Sequence, residues 1–202
     1  MGKKQKYSME FLNKSLRGLQ RKGSFMFKTR YYRHSETLKE YDRFNKAFRQ
    51  FKDRNVIDIG THIGYYATVI SSYSNSVLGI DISKRSIKQA KLFKKIVKAK
   101  NTSFIRMSAF DLNEEFFQKH KIDALFNHKT IGKTKFNTKR FNKLMKLCEI
   151  YCKVIITDKI ERIKDFFADN PNFEEAIEAR SYRGNRLYII KRKKIWEKVV
   201  YY

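Results

Sequence analysis

The sequence holds a single proline in 202 residues and no Gly/Ser-rich stretch, so nothing in it marks a linker between domains. No apolar run approaches the roughly 20 residues that a bilayer-spanning helix needs. The first ten residues, MGKKQKYSME, lack the apolar core of a secretory signal. A cytoplasmic protein without a membrane partner is therefore expected. Lys6 stands where an N-myristoylation motif wants Ser or Thr, so no lipid anchor is expected either. Cysteine is almost absent. Cys148 and Cys152 stand alone, with no Cys/His cluster at zinc spacing, and read as buried free thiols with neither disulfide nor metal. Acids are scarce as well: 20 Asp and Glu face 46 Lys and Arg, for a net charge of +26. An AT-rich genome would account for the lysines but not for the shortage of acids. A field this positive attracts polyanions and speeds their association, so nucleic acid is the expected partner.

The length suits one α/β domain with a sizeable core. Residues 1–52 read as a basic helical extension. Met9, Leu12, Leu16 and Leu19 recur at helical spacing over 8–22, and Leu38, Tyr41, Phe44, Phe48 and Phe51 do so over 35–51. Between them, SFMFKTRYYRH (24–34) mixes aromatic and basic residues. Such a mixture can stack bases and pair phosphates, or cover a cofactor site through Phe27, Tyr31 and Tyr32.

Residues 53–202 alternate strand and helix. The spacing predicts strands at 56–60, 76–81, 102–107, 121–127 and 153–157. Helices are predicted at 64–73, 83–100, 112–120, 137–151 and 159–169. The alternation then breaks into two strands, 172–182 and 186–193, around a tight RGN turn. This pattern predicts a Rossmann-like, seven-stranded, mostly parallel sheet with a C-terminal antiparallel hairpin, wound on both faces. The final KKIWEKVVYY reads either as a last packed strand or as a tail for a protein partner.

In such sheets ligands bind at the carboxyl ends of the strands, near the switch point. The stretch NVIDIGTHIGYYATVI (55–70) places Asp58, Gly60, Thr61 and Gly64 there, and Asp81 ends the second strand. A carboxylate at that second position can accept from both hydroxyls of a ribose, so a nucleoside-bearing ligand is expected. The turn has no third glycine for the dinucleotide fingerprint, and no Gly-Lys-Ser/Thr for a phosphate loop.

VIDIGTHIG, VLGIDIS and MSAFDL together resemble the first, second-strand and third-strand motifs of the class I S-adenosylmethionine-dependent methyltransferases. The likeness covers about residues 50–193. It implies S-adenosylmethionine as cofactor. Gly60, Thr61 and Gly64 would then meet the methionine part through backbone groups, and Asp58 would anchor that end, directly or through water. Asp81 would hold the ribose, Ile82 would lie against the adenine, and Ser108, Ala109 and Phe110 would form the adenine edge. Asn127 would sit by the methyl group. Two positions depart from the pattern. His62 replaces the middle glycine, a change similar to the turn of the FkbM-type O-methyltransferases, and Ser108 replaces a frequent acid.

After the fourth strand, NHKTIGKTKFNTKRFNKLMK (127–146) carries seven cations and no acid. The segment reads as a solvated face or as a grip on a phosphate backbone at the mouth of the site, with Lys129, Lys133, Lys135, Lys139 and Arg140 as the candidate nucleic-acid residues. His128 is the candidate base for an oxygen nucleophile. The nucleobase-amino signature Asn/Asp-Pro-Pro-aromatic would occupy 127–130, where the sequence has Asn-His-Lys-Thr. The Lys-Asp-Lys-Glu set of ribose 2′-O enzymes is not evident, although Asp158, Lys159 and Glu161 follow the fifth strand.

The expected function is methylation of a nucleic acid, RNA before DNA, by in-line methyl transfer. Two alternatives stand beside it: O-methylation of a small or glycan-like acceptor, and a non-catalytic nucleic-acid-binding protein that keeps the fold.

Overall fold

The computed structural model describes residues 12, 14–15, 44, 46–128, 130, 138–158, 163, 166–167, 170–174, 177–180 and 186–193. Seven strands form one sheet: β1 (Asn55–Ile59), β2 (Ser76–Asp81), β3 (Thr102–Arg106), β4 (Ala124–Asn127), β5 (Val154–Thr157), β6 (Ile177–Arg180) and β7 (Arg186–Lys191). Their order is β3-β2-β1-β4-β5-β7-β6. The first five strands run parallel, while β7 is antiparallel to both β5 and β6. The order reverses between β1 and β4. That opens a crevice at their carboxyl ends, where Ile59 is in register with Ile80 and Asn127.

Helices cover both faces. On one side α1 (Tyr65–Ile70) and α2 (Lys84–Val97) pack Ile70, Ile87, Ala90 and Phe93 against Val56, Val77 and Phe126. On the other, α3 (Glu114–Lys119) and α4 (Thr138–Tyr151) pack Phe117, Phe141, Leu144 and Met145 against Ile57, Ile59 and Leu125. Because β1, β4 and β5 are covered on both faces, they read as unbroken apolar runs rather than alternating ones. Both cysteines are buried free thiols, as expected.

Several element ends differ from the sequence reading, each for a local reason. The helix predicted over 64–73 closes at Ile70. The hydroxyls of Ser71 and Ser74 donate back to the carbonyls of Thr68 and Ile70, which competes with continuing the helix. The strand predicted from 121 begins at Ala124. Lys121 takes a left-handed φ of 50° as it leaves α3, and Asp123 accepts from the Asn55 amide and pairs with Arg54 at 3.3 Å. Of the strand predicted over 172–182, the described residues show Ile177–Arg180, with Phe173 ahead of it bridging to Arg192.

Of the expected N-terminal extension, Leu12, Lys14, Ser15, Phe44 and 46–48 are helical, and Arg49–Phe51 forms a 3-10 turn. The remainder of both predicted helices, the 24–34 segment and the C-terminal tail lie outside the described residues. What is described is firmly packed. Phe48 is wholly buried, edge-on to Phe126 at 5.3 Å and against Phe44, Phe51 and Tyr66. Phe48→Ala is expected to lower stability by roughly 3–5 kcal/mol in a urea titration, since a buried ring leaves a cavity. A loss below 1 kcal/mol would mean that this segment only leans on the sheet.

Candidate cofactor site

The turn after β1 is built by the backbone. Gly60 leaves the strand at a φ of 71°, and Gly64 opens α1 at a φ of 75°, both in the left-handed region that favours glycine. The amides of Gly60 and Thr61 donate to the Ile80 carbonyl at 2.9 and 3.0 Å, and the Gly64 amide donates to the Thr61 carbonyl at 2.8 Å. The Gly64 carbonyl accepts from both the amide and the hydroxyl of Thr68. These amides are therefore already committed. What the turn can offer a ligand is carbonyl acceptor capacity, because each carbonyl oxygen has two lone pairs. That capacity suits a donor such as an ammonium group.

His62, in the middle-glycine position, adopts a φ of 53°, and its amide donates to Asp81 Oδ2 at 3.0 Å. Asp81 Oδ1 accepts from the Ser83 amide at 2.8 Å. An ionised carboxylate has about four acceptor positions, so Asp81 can still receive ribose hydroxyls while held rigidly by two amides. Ile82 next to it is 70% exposed, an apolar surface at the sheet edge with no core to serve. Ser108 caps the short 3-10 turn Ala109–Asp111 by accepting from the Phe110 amide at 3.2 Å. Ser108, Ala109 and Phe110 are all half-buried, and the chain enters this edge through a bond from the Met107 amide to the Asp81 carbonyl.

Asp58 lies beneath the turn, with 3% of its surface exposed. Its carboxyl is raised from 3.8 to about 7: burial is the main cause, the nearby Thr61 side chain opposes it, and the charge of Asp81 adds to it. Asp58 Oδ2 and Thr61 Oγ1 are buried and close no hydrogen bond of good geometry among the described residues. A buried acid with one oxygen left unmatched at a ligand edge fits a ligand carrying positive charge, as S-adenosylmethionine does.

The acceptor side is less open. Asn127 is fully buried at the end of β4, and its amide donates to Thr157 Oγ1 on β5 at 3.1 Å. His128 is half-buried, edge-on to Tyr66 at 5.1 Å and to Phe44 at 5.8 Å, with Phe126 stacked at 6.4 Å. The expected base thus sits in an aromatic setting, with Tyr66 its nearest ring among the described residues. Lys139 and Arg140 are exposed in the first turn of α4, while Lys129, Lys133 and Lys135 lie outside the described residues.

Two contributors escaped the sequence reading. Thr130 donates to the His128 carbonyl and sits directly over Gly60, where an added Cβ would come within 1.9 Å of its hydroxyl. Only the neighbourhood of β1 and β4 brings these together, and no spacing in the sequence signals it. Gly79, mid-strand in β2, leaves room for Thr61 Oγ1 and the Phe104 ring. A glycine inside a strand pattern was a usable signal of such an approach.

Among the described residues, no group of three His, Cys, Asp or Glu could hold a metal ion, and no helix is long and apolar enough to cross a membrane.

Comparison with curated proteins finds no match. Solved structures do match. N-methyltransferase NodS from Bradyrhizobium japonicum WM9, in complex with S-adenosyl-L-homocysteine, is 8% identical with a TM-score of 0.63, over 89% of this chain and 99% of that one. An rRNA methylase from Streptococcus thermophilus is 12% identical with a TM-score of 0.56, over 76% and 96%. A ribosomal protein L11 methylase from Lactobacillus delbrueckii subsp. bulgaricus is 19% identical with a TM-score of 0.54, over 79% and 80%. At such identities the likeness speaks for the fold. The sequence itself matches the methyltransferase domain family across residues 50–201. The chain belongs to that family and is a class I S-adenosylmethionine-dependent methyltransferase.

Proposed function

We propose that this methyltransferase modifies nucleic acid, RNA before DNA. The observation that carries the reading is the acid-free start of α4. Lys139 and Arg140 stand exposed in its first turn, on the first described helix after β4. A helix start ordinarily favours acids, because its free amides are positive. Placing two cations there is locally unfavourable and becomes favourable when a polyanion lies across it. The net charge of +26 supports the same partner.

S-adenosylmethionine supplies an electrophilic methyl group for in-line displacement, so the protein's task is mostly alignment. In this reading Asp81, Ile82 and the 108–110 edge hold the nucleoside end, and Asp58 and the Gly60–Gly64 turn hold the charged end. Asn127, tied to Thr157, shapes the floor beside the acceptor. His128, flanked by Tyr66 and Phe44, can present a ring edge to a planar acceptor or take a proton from one.

The test is transfer of labelled methyl from S-adenosylmethionine into a mixed cell extract, followed by separate nuclease and protease digestion. Label released by ribonuclease is the expected result. Label confined to small or glycan material would make the basic surface incidental and favour an O-methyltransferase of a small acceptor.

A further inference from the structure

Beside α4 the surface opens into a groove of about 620 Å³ that continues onto the start of α3. Lys139, Asn142, Lys143, Lys146, Leu147 and Ile150 line it from α4, and Asn113 and Glu114 from the start of α3; its lining is mostly apolar, so the lysines give it their alkyl stems and set their charges at its rim. The three lysines recur at intervals of four and three residues, so they project from the same face. Over these seven residues the helix rises about 10 Å, giving one cation every ~5 Å. All three are exposed, and Glu114 is the one acid among the lining residues. Ile150 is 53% exposed beside them.

We infer that this groove binds the phosphate backbone of single-stranded RNA flanking the nucleotide to be methylated, a proposal that rests on the nucleic-acid reading of the same site. The groove begins at Lys139, where α4 leaves the segment after β4, and runs down the helix away from the carboxyl edge of the sheet. From Lys139 to Ile150 it spans about 16 Å, room for two or three nucleotides of a strand that leads away from the cofactor site. The evenly spaced cations match a repeating anion, and Ile150 offers a surface on which a base can pack. A groove that tracks a backbone is the usual device of single-strand binding.

The lysines of α2 provide an internal control. Lys88, Lys91 and Lys95 are equally exposed, but their helix packs on the opposite face of the sheet. The experiment compares K139Q/K143Q/K146Q with K88Q/K91Q/K95Q, two variants of equal net charge. It measures binding of a fluorescent 20-nucleotide single-stranded RNA as a function of salt. Neutralising Z phosphates gives a salt slope of about −0.7Z for single strands, so the groove variant should lose about two units of slope. That corresponds to roughly a hundredfold loss of affinity near 0.1 M salt. The α2 variant should keep most of the wild-type slope.

Equal losses in both variants would overturn the groove and leave only a general charge effect, with the nucleic-acid reading intact. A wild-type protein that binds no RNA would overturn both. Displacement of the RNA by polyglutamate of matching charge, at the same concentration, would assign the groove to acidic protein and overturn the proposal.

Discussion

Asp58→Asn is expected to make the protein more stable at pH 8 and to weaken its grip on the cofactor. The sign follows from the raised pKa. In the unfolded chain the carboxyl titrates near 3.8, and in the fold near 7. The folded state therefore binds the proton more tightly, and Asp58 costs nothing below pH 4. The penalty grows as the pH rises from 4 to 7 and is complete above that range. A shift of about three units corresponds to about 4 kcal/mol, and the neutral amide removes most of it. Chemical denaturation of both proteins at pH 4 and pH 8 tests this. The variant's advantage should appear only at pH 8, and an equal difference at both values would remove the buried-charge explanation. A native residue that destabilises its own fold needs a compensating role. The compensation proposed here is the positive charge of S-adenosylmethionine, which favours ionised Asp58 and should draw its pKa down on binding. Cofactor affinity should therefore rise about tenfold per pH unit between 5.5 and 7, then level off. In the Asn variant the profile should be flat and the affinity lower by roughly tenfold to a hundredfold, the worth of a charged hydrogen bond. A wild-type profile without a bend near pH 7 would place the cationic end of the cofactor elsewhere.

The residues of this site were unevenly legible in the sequence. Asp58, Gly60, Gly64 and Asp81 could be read because each ends a strand or bends the chain, and such positions leave local marks in residue type and spacing. The alternation of apolar runs with amphipathic ones was enough for the parallel sheet, since β1, β4 and β5 are covered on both faces. What spacing cannot carry is what a residue meets across the sheet. Thr130 over Gly60, Asn127 tied to Thr157, and the ring of His128 between Phe44 and Tyr66 all depend on packing between segments far apart in sequence. The early end of α1 was legible in principle, since two serines at 71 and 74 compete for its last carbonyls. The burial of Asp58 was not. A carboxylate at a strand end is as easily solvated as enclosed, and only the sheet above and the turn over it decide which.

Alanine at the two glycines of the turn should separate fold from function, because different neighbours occupy the two missing Cβ positions. At Gly64 the added carbon would lie 2.5 Å from Phe104 Cζ, 2.7 Å from its Cε1 and 3.2 Å from the Ala90 methyl. Phe104 is only 4% exposed and is held between β2, α1 and α2, so its ring has nowhere to go. Left-handed strain of about 1–2 kcal/mol adds to overpacking of about 1–3 kcal/mol. Gly64→Ala should therefore lose roughly 2–5 kcal/mol of stability. At Gly60 the added carbon would lie 1.9 Å from Thr130 Oγ1 and 2.6 Å from its Cβ. Thr130 is half-buried on the segment after β4 and is held through its bond to the His128 carbonyl. Thr130 belongs to neither apolar core cluster, so displacing it costs less packing than displacing a core ring. The stability loss at Gly60 should stay near the strain alone, about 1–2 kcal/mol. Its methyl group, however, stands on the turn that would face the methionine end, and displaces Thr130 beside His128. Gly60→Ala should thus unfold almost normally in urea while cofactor binding and methyl transfer fall by at least a hundredfold. Gly64→Ala should show the reverse weighting, with a large shift in the unfolding midpoint and, in whatever remains folded below it, a smaller loss of binding. If both variants lost stability equally and bound cofactor equally, the turn would be a structural corner only, and the site would have to be sought away from it.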